Sequence, residues 1–279
     1  MPLRPAERAY SLSTRAGWEQ FVTAPPRTRP DLLTAAQVRG LPGPARAEYE
    51  EQRSVWHANL GPLRTPQMRA VHEQLDDIVE ANRQDGDKVK GAAVIDALPG
   101  LGKSTIAQVF AREFHQRQVS LYGPLTSAGH DRVPVVHVCL TSSTSKKSFN
   151  SMLCRFFGLP GHDKGNAEEL GHKAADAVLS CDVRLCVVDD VHFLDPRRRD
   201  GRDVANHFKY LANTFPVTVL LTELTEAFFQ FRWHADRPVA TVPAHDWTGW
   251  FVTRSGPLGC PSGGLACLNR ESVGTIPAA

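Results

Sequence analysis

Apolar positions along the middle of the chain follow two alternating periods. Short apolar runs indicate strands buried in a sheet, and apolar spacings of three and four residues indicate amphipathic helices. Residues 91–222 switch repeatedly between the two patterns. Strands that alternate with helices predict a mostly parallel sheet with helices on both faces, which is the α/β class.

The patterns place individual elements. The predicted strands are Ala92–Ile95, Val133–Leu140, Arg184–Asp189 and Val217–Leu221. The predicted helices are Lys103–Gln116, Lys146–Phe157, Asn166–Leu179 and Val204–Asn213. Ahead of them, Thr65 followed by Pro66 is typical of a helix start, and an apolar stripe continues that helix until the polar run at Asn82. A polar helix over residues 45–57 precedes it, with Tyr49 and Trp56 as its expected buried residues.

The two ends of the chain lack these periods. Residues 1–45 are rich in Pro, Arg and Ala, and we predict a mobile arm or a loosely docked extension. No sustained period of 3.6 or 2 appears after Phe231. The predicted domains are therefore an arm (residues 1–45), a core with leading helices (residues 46–222) and an atypical tail (residues 223–279).

Composition narrows the class of protein. The 279 residues include 32 Lys or Arg and 30 Asp or Glu, and the net charge of +2 excludes a histone-like or strongly acidic chain. A local basic stripe for nucleic acid stays possible. Six cysteines are too sparse for a disulfide scaffold, and we interpret Cys139 and Cys186 as small core residues. With no secretory pattern and no membrane-length apolar run, we expect a cytoplasmic protein.

A glycine-rich loop follows the first predicted strand and opens the next helix. Its residues are Leu98, Pro99, Gly100, Leu101, Gly102, Lys103, Ser104 and Thr105. This context is typical of a Walker A phosphate loop, in which glycines let the backbone approach phosphate and helix N-terminal N–H groups attract the anion. We predict that Pro99–Thr105 bind ATP, that Lys103 acts catalytically on the β- and γ-phosphates, and that Ser104 ligates Mg²⁺. Ala97 departs from the motif, which has Gly there, and the alternative is a chance GKS sequence.

Two acids end the third predicted strand, as in a Walker B motif. Asp189 is predicted to hold Mg²⁺, directly or through water, and Asp190 to orient or deprotonate the attacking water. Asp190 is one methylene shorter than the Glu of many such ATPases, so hydrolysis is expected to be slower. The alternative for both is a pair of acids in a surface turn. His192 is interpreted as structural, with nucleotide sensing or contact with a neighbouring subunit as its second interpretation.

Beyond these motifs, the chain resembles the TniB/TnsC group of AAA+ transposition ATPases over roughly residues 46–222. The stretches that carry the resemblance are Tyr49–His57, Thr65-Pro66, Pro134–Val138, Phe156–Pro160, Val188–Leu194 and Asn206–Asn213. The fold it implies is a P-loop NTPase of AAA+ type, a three-layer parallel sheet with an N-terminal helical extension. The function it implies is an ATPase that assembles on duplex DNA as a homo-oligomer and recruits or activates a transposase.

The resemblance also implies roles outside the Walker motifs. The candidates for an arginine that reaches a neighbouring subunit's γ-phosphate are Arg197, Arg198, Arg199 and Arg202. A solvated charge run is the competing interpretation. Lys146 and Lys147 are candidates for contacts with DNA phosphates, unless they form an exposed polar cap. Thr222 is the nearest match to the polar sensor at the end of the fourth AAA+ strand.

The helical lid of AAA+ proteins is not recognisable after Thr222, and the expected fold therefore lacks it. We hypothesise that residues 223–279 are a truncated or frame-shifted end. Two functions stay open: an ATPase that regulates DNA transposition, and a non-hydrolysing nucleotide-dependent adaptor or degraded copy that binds DNA or a protein partner. A small-molecule kinase is a weaker third, because neither an acceptor pocket nor a basic lid is recognisable.

Overall fold

The computed structural model describes residues 10–85, 90–95, 100–141, 144–191 and 217–222 in full, and the backbone of residues 239–242, 244–245 and 249–250. The helices in these ranges are α1 (Arg15–Thr23), α2 (Ala35–Gly40), α3 (Gly43–Ala58), α4 (Pro66–Ala81), α5 (Lys103–Tyr122), α6 (Lys146–Phe156) and α7 (Ala167–Ser180). The strands are β1 (Ala92–Ile95), β2 (Val135–Cys139), β3 (Leu185–Asp189), β4 (Thr218–Thr222), β5 (Val239–Val242), β6 (Ala244–His245) and β7 (Gly249–Trp250).

Five strands form one parallel sheet in the order β2-β3-β4-β1-β5. Cys139 pairs with Asp189, and Ile95 pairs with Thr222, so the last residues of four strands lie along one edge. β1, β3 and β4 are buried along their whole length, as a parallel sheet with covered faces requires. The loop after β1 therefore begins at the same edge as the acids that end β3, with β4 between the two strands.

The helices of the core begin where their capping signals predict. The Thr65 side chain accepts a hydrogen bond from the Met68 amide, and Pro66 is the first residue of α4. Asn166 and Glu169 form the predicted capping box at the start of α7. Helix α5 runs past its predicted end at Gln116 and stops at Gly123, whose φ of 81° lies in the left-handed region.

The first helix is docked more firmly than the predicted mobile arm or loosely docked extension. In α1, Trp18 is 1% exposed and Val22 is 3% exposed, and both belong to the main hydrophobic core. Their spacing of four residues places them on one face of the helix. The side chains of Arg112 and Gln116 on α5 donate to main-chain oxygens at the end of α1. The segment around α1 is therefore a docked part of the domain.

Helix α3 is exposed, which corrects the expectation that Tyr49 and Trp56 are buried. None of its sixteen residues is buried, and these two aromatic side chains are half-buried. They contact the chain just before α2: the Tyr49 hydroxyl donates to the Asp31 carbonyl, and the Arg29 guanidinium lies 5.4 Å from the Trp56 ring centre. The α3 helix thus packs against its own N-terminal flank.

A strand that the sequence analysis did not predict completes the sheet. β5 runs parallel to β1, with Ala92 opposite Val239. The short strands β6 and β7 form an antiparallel pair after it. The predicted helix Val204–Asn213 and most of the tail, with its expected missing lid, lie outside the described residues.

A cavity of about 720 Å³ lies at the opposite edge of the sheet, where the strands begin. It is lined by the C-terminal halves of α4 and α5, including Phe114 and Leu121, by Arg83 just after α4, and by Arg184 and Thr218 at the starts of β3 and β4. None of the helices in the part of the chain that the structure describes has the length and apolar character needed to cross a membrane.

Candidate functional site

The described end of the loop between β1 and α5 contains two glycines with positive φ. Gly100 and Gly102 have φ angles of 81° and 79°, a region that residues with a Cβ avoid. Gly102 is the N-cap of α5 and supplies no side-chain hydrogen bond to the first turn. The amide groups of that turn and the positive end of the helix dipole are the elements of an anion site.

Lys103 and Ser104 are the first residues of α5. Lys103 is 3% exposed, so its side chain is shielded from bulk solvent. The Ser104 hydroxyl donates to Asp189 Oδ1 at 2.9 Å, across 85 positions of sequence. The two Walker motifs are therefore in direct contact.

Asp189 collects hydrogen bonds on one oxygen. Besides Ser104, the Thr222 hydroxyl and the Asp190 amide donate to its Oδ1, the latter at 3.1 Å. Thr222 is fully buried at the end of β4. Thr222 ends β4 and contacts Asp189, as a sensor at this position would, and its role as the sensor stays a prediction.

Asp190 lies just beyond β3 in a left-handed conformation, with φ of 60°. Asp tolerates this region better than most residues. Its Oδ2 accepts a hydrogen bond from the Cys139 thiol at 2.8 Å. Burial, this hydrogen bond and the negative charge of Asp190 raise the pKa of Cys139 to about 12, so the thiol keeps its proton.

Cys139 corrects one sequence prediction, since it is exposed at the end of β2 and is not a core residue. Cys186 is buried, as predicted, and burial raises its pKa to about 12. The signal that distinguishes the two is register: Cys139 pairs with Asp189 at the strand ends. Cys186 lies three residues before the acid, inside the sheet.

A histidine that the sequence analysis did not select lies behind Asp189. His137 on β2 is 3% exposed, and its Nε2 is 4.0 Å from Asp189 Oδ2. Its ring stacks on Trp18, with centres 6.0 Å apart and planes 14° apart. The indole Nε1 of Trp18 donates to His115 Nδ1 at 3.1 Å. Burial lowers the pKa of His137, although Asp189 and Asp190 act in the opposite direction.

The remaining predicted residues fall into three groups. Leu101 is half-buried and Thr105 is exposed in the loop and first turn. Lys146 and Lys147 begin α6, at the same edge of the sheet as the loop, because α6 follows β2. Those outside the described residues are Ala97, Leu98, Pro99, His192, Arg197, Arg198, Arg199 and Arg202.

The geometry fits a nucleotide with a divalent cation. Ser104 and Asp189 supply neighbouring hydroxyl and carboxylate oxygens, the ligand type that Mg²⁺ prefers. The glycine-rich loop and Lys103 supply the complement to phosphate charge.

Comparison with known proteins defines the family. A family model described as the AAA domain matches residues 86–229, just over half of the chain. The chain belongs to the AAA domain family. The matched range of the AAA domain begins shortly before β1 and includes the glycine-rich loop, β3 and β4. The expected P-loop NTPase fold of AAA+ type is confirmed, whereas membership of the TniB/TnsC group stays a prediction.

A solved structure shares the fold of this AAA domain. The Aeropyrum pernix ORC2 protein, solved as ADPNP–ADP complexes, aligns with a TM-score of 0.51 at 14% identity, over 67% of this chain and 50% of that one. The Aeropyrum pernix ORC1 protein in complex with DNA aligns with a TM-score of 0.47 at 18% identity, over 62% of this chain and 42% of that one. The chain thus spans half or less of these proteins. No curated protein matches it.

Proposed function

We propose that this AAA domain binds and hydrolyses ATP with Mg²⁺ and regulates DNA transposition. The observation that carries the proposal is the contact between Ser104 and Asp189, 2.9 Å between hydroxyl and carboxylate. A chance GKS sequence or a surface pair of acids would have no reason to meet in this way. The buried Lys103 and the left-handed glycines at the same helix start add to that support.

Each residue has a role in the proposed mechanism. The first turn of α5 and Lys103 bind the phosphates and offset their charge. Ser104 and Asp189 would hold Mg²⁺, which would offset charge on the phosphate oxygens. Asp190 orients the attacking water and accepts its proton, while the Cys139 thiol fixes one oxygen of that carboxylate. Thr222 keeps Asp189 in place through a buried hydrogen bond.

The proposed role in transposition is supported by the TniB/TnsC-like stretches along the chain. In this role the domain forms homo-oligomers on duplex DNA and recruits a transposase. Lys146 and Lys147, at the nucleotide edge of the sheet, are the proposed contacts with DNA phosphate. The ORC2 protein solved with nucleotide is similar to this chain in fold alone, so DNA and a transposase are proposed as partners from the sequence.

The main test is ATP hydrolysis by the purified chain, with and without duplex DNA. We expect turnover that rises with DNA and falls at least 100-fold in Lys103→Ala, since loss of a group that stabilises transition-state charge costs about that much. Lys164→Ala is the matched control, because Lys164 is exposed and lies in the α6–α7 connection. Equal turnover in both variants would contradict the proposal.

A second function, a non-hydrolysing adaptor, is favoured by the state of Asp190. This carboxylate is shorter than Glu, and the Cys139 thiol already occupies one of its oxygens. The adaptor would bind ATP in a Lys103-dependent way without turnover. Equilibrium binding of a fluorescent ATP analogue, measured beside the hydrolysis assay, separates the two functions.

A further inference from the structure

His137 is a buried polar side chain that the proposed mechanism leaves unused. Within the described part of the chain, neither ring nitrogen has a hydrogen-bond partner. Buried polar groups nearly always have a hydrogen-bond partner. Two ring nitrogens without one, next to a carboxylate of the proposed site, therefore require an explanation. A neutral imidazole has one N–H donor and one acceptor nitrogen, and here both lack partners among these residues.

The position of the ring is fixed on two sides. His137 lies in the interior of β2, paired with Val187 of β3, so the strand fixes its backbone. Trp18 stacks on one ring face. The Nε2 atom is 4.0 Å from Asp189 Oδ2, and a shift of about 1 Å would bring the two atoms into hydrogen-bond range.

The two oxygens of Asp189 differ in their surroundings. Oδ1 accepts hydrogen bonds from the side chains of Ser104 and Thr222 and from the Asp190 amide, whereas Oδ2 faces His137. Ser104 donates its hydroxyl hydrogen to Oδ1 and would still have an oxygen lone pair for Mg²⁺, so its bond to Asp189 can persist. Oδ1 thus has its donors among the described residues, and Oδ2 is the oxygen whose orientation a donor from His137 would fix.

We propose that His137 is a positioning residue that holds Asp189 by donating from Nε2 to Oδ2 when Mg²⁺–nucleotide is bound. Trp18 restrains the imidazole for this contact, which makes α1 part of the support of the nucleotide site. Hydrogen bonds from outer side chains orient metal-binding carboxylates in this way. The inference rests on the proposed function, because it concerns the same site.

The first test reads the proton on the ring directly. In ¹H–¹⁵N spectra of the histidine side chains, with His137→Gln to assign the signal, we expect the Nε2–H tautomer in the free protein. Addition of Mg²⁺ and a non-hydrolysable ATP analogue should move the Nε2–H proton downfield. A proton on Nδ1, or no movement at saturation, would overturn the inference.

The second test measures Mg²⁺ affinity at saturating concentration of the same analogue. His137→Phe removes the donor, and we expect the apparent Kd for Mg²⁺ to rise about 10-fold. His137→Gln keeps an amide donor near the position of Nε2 and should stay within about threefold of the wild type. Val22→Ala weakens the docking of α1 without touching the ring and should leave the Kd unchanged.

Two results of this titration contradict the positioning role. One is an equal loss in His137→Phe and Val22→Ala, which would indicate a packing effect. The other is an equal loss in His137→Phe and His137→Gln, which would exclude the donor. If the wild type does not bind nucleotide, or binds it no better than Lys103→Ala does, the proposed function is refuted together with the inference. An Nδ1–H tautomer refutes the inference alone.

Discussion

Helices α1 and α3 both precede the nucleotide-binding core, but only the shorter one belongs to it. Helix α1 has nine residues and buries Trp18 and Val22 in the main core. Helix α3 has sixteen residues and buries none. Helix length therefore does not decide docking. Helix α1 is docked because it carries two apolar side chains four residues apart and because side chains of α5 donate hydrogen bonds to its main-chain oxygens.

The difference also has a functional side. Through Trp18, α1 contacts His137 behind the Walker B carboxylate, and through His115 it contacts the helix that begins at the phosphate loop. Helix α3 contacts the chain around Asp31 and Arg29. Removal of the Trp18 ring should therefore affect both the stability of the domain and its nucleotide site. Removal of the Val22 methyl groups should affect the stability alone, and mutations in α3 should affect neither strongly.

The largest effect is expected for Trp18→Ala. Removal of this fully buried ring should lower the free energy of unfolding by about 3–5 kcal/mol, since a cavity remains where the ring was. Urea unfolding followed by circular dichroism measures the loss. A change below about 1 kcal/mol would mean that α1 does not belong to the core.

Acid should release α1 through His115. Burial lowers the pKa of His115 to about 4, whereas in the unfolded chain it is near 6.5. Between these values the unfolded state binds more protons, so stability falls as pH falls from 6.5 to 4, by roughly 3 kcal/mol in all. Below pH 4 both states are protonated and this dependence ends.

His115→Gln tests that assignment in urea unfolding at several pH values. The variant should lose the His115 part of the slope between pH 6.5 and 4. The contributions of His72 and His137 to the slope should remain, because burial lowers their pKa values as well. An unchanged slope would show that His115 does not link acid to the docking of α1.

Val22→Ala should have an intermediate effect. Two buried methyl groups are lost, which corresponds to about 1.5 kcal/mol of unfolding free energy. The bond from Gln116 to the Val22 carbonyl uses the main chain and should survive. A loss as large as that of Trp18→Ala would indicate that α1 docks all-or-none.

Trp56→Ala in α3 should have the smallest effect, below about 1 kcal/mol, because the ring is half-buried and its contact with Arg29 is a cation–π pair near the surface. The same urea assay applies. A loss that matched Trp18→Ala would remove the distinction between the two helices.

Sequence patterns predicted the parts of the molecule in which local chemistry decides the structure. The stripe of α4, its Thr65–Pro66 start and the capping box at Asn166 are local signals, and each appears where predicted. The glycines of the loop and the acids after β3 are likewise tied to strand ends. Parallel strands meet at one edge, so even the contact between Ser104 and Asp189 follows from the predicted order of elements.

The parts that were missed depend on long-range packing. Helix α1 is short and lies among Pro- and Arg-rich segments, so its two buried residues carry little signal without α5 beside them. β5 has only four residues and gains its partner from β1, far away in sequence. His137 looks like any polar residue in a strand until Trp18 and Asp189 enclose it.

Helix α5 runs without interruption from the phosphate loop at one edge of the sheet to the cavity at the other. Its twenty residues span roughly 30 Å, from Lys103 at the phosphate loop to Leu121 at the cavity on the opposite edge. A tilt of about 5° at one end displaces the other by about 2.5 Å, by the length of the helix alone. A rigid helix of this length would carry a small displacement at the phosphate loop to the cavity at the opposite edge of the sheet.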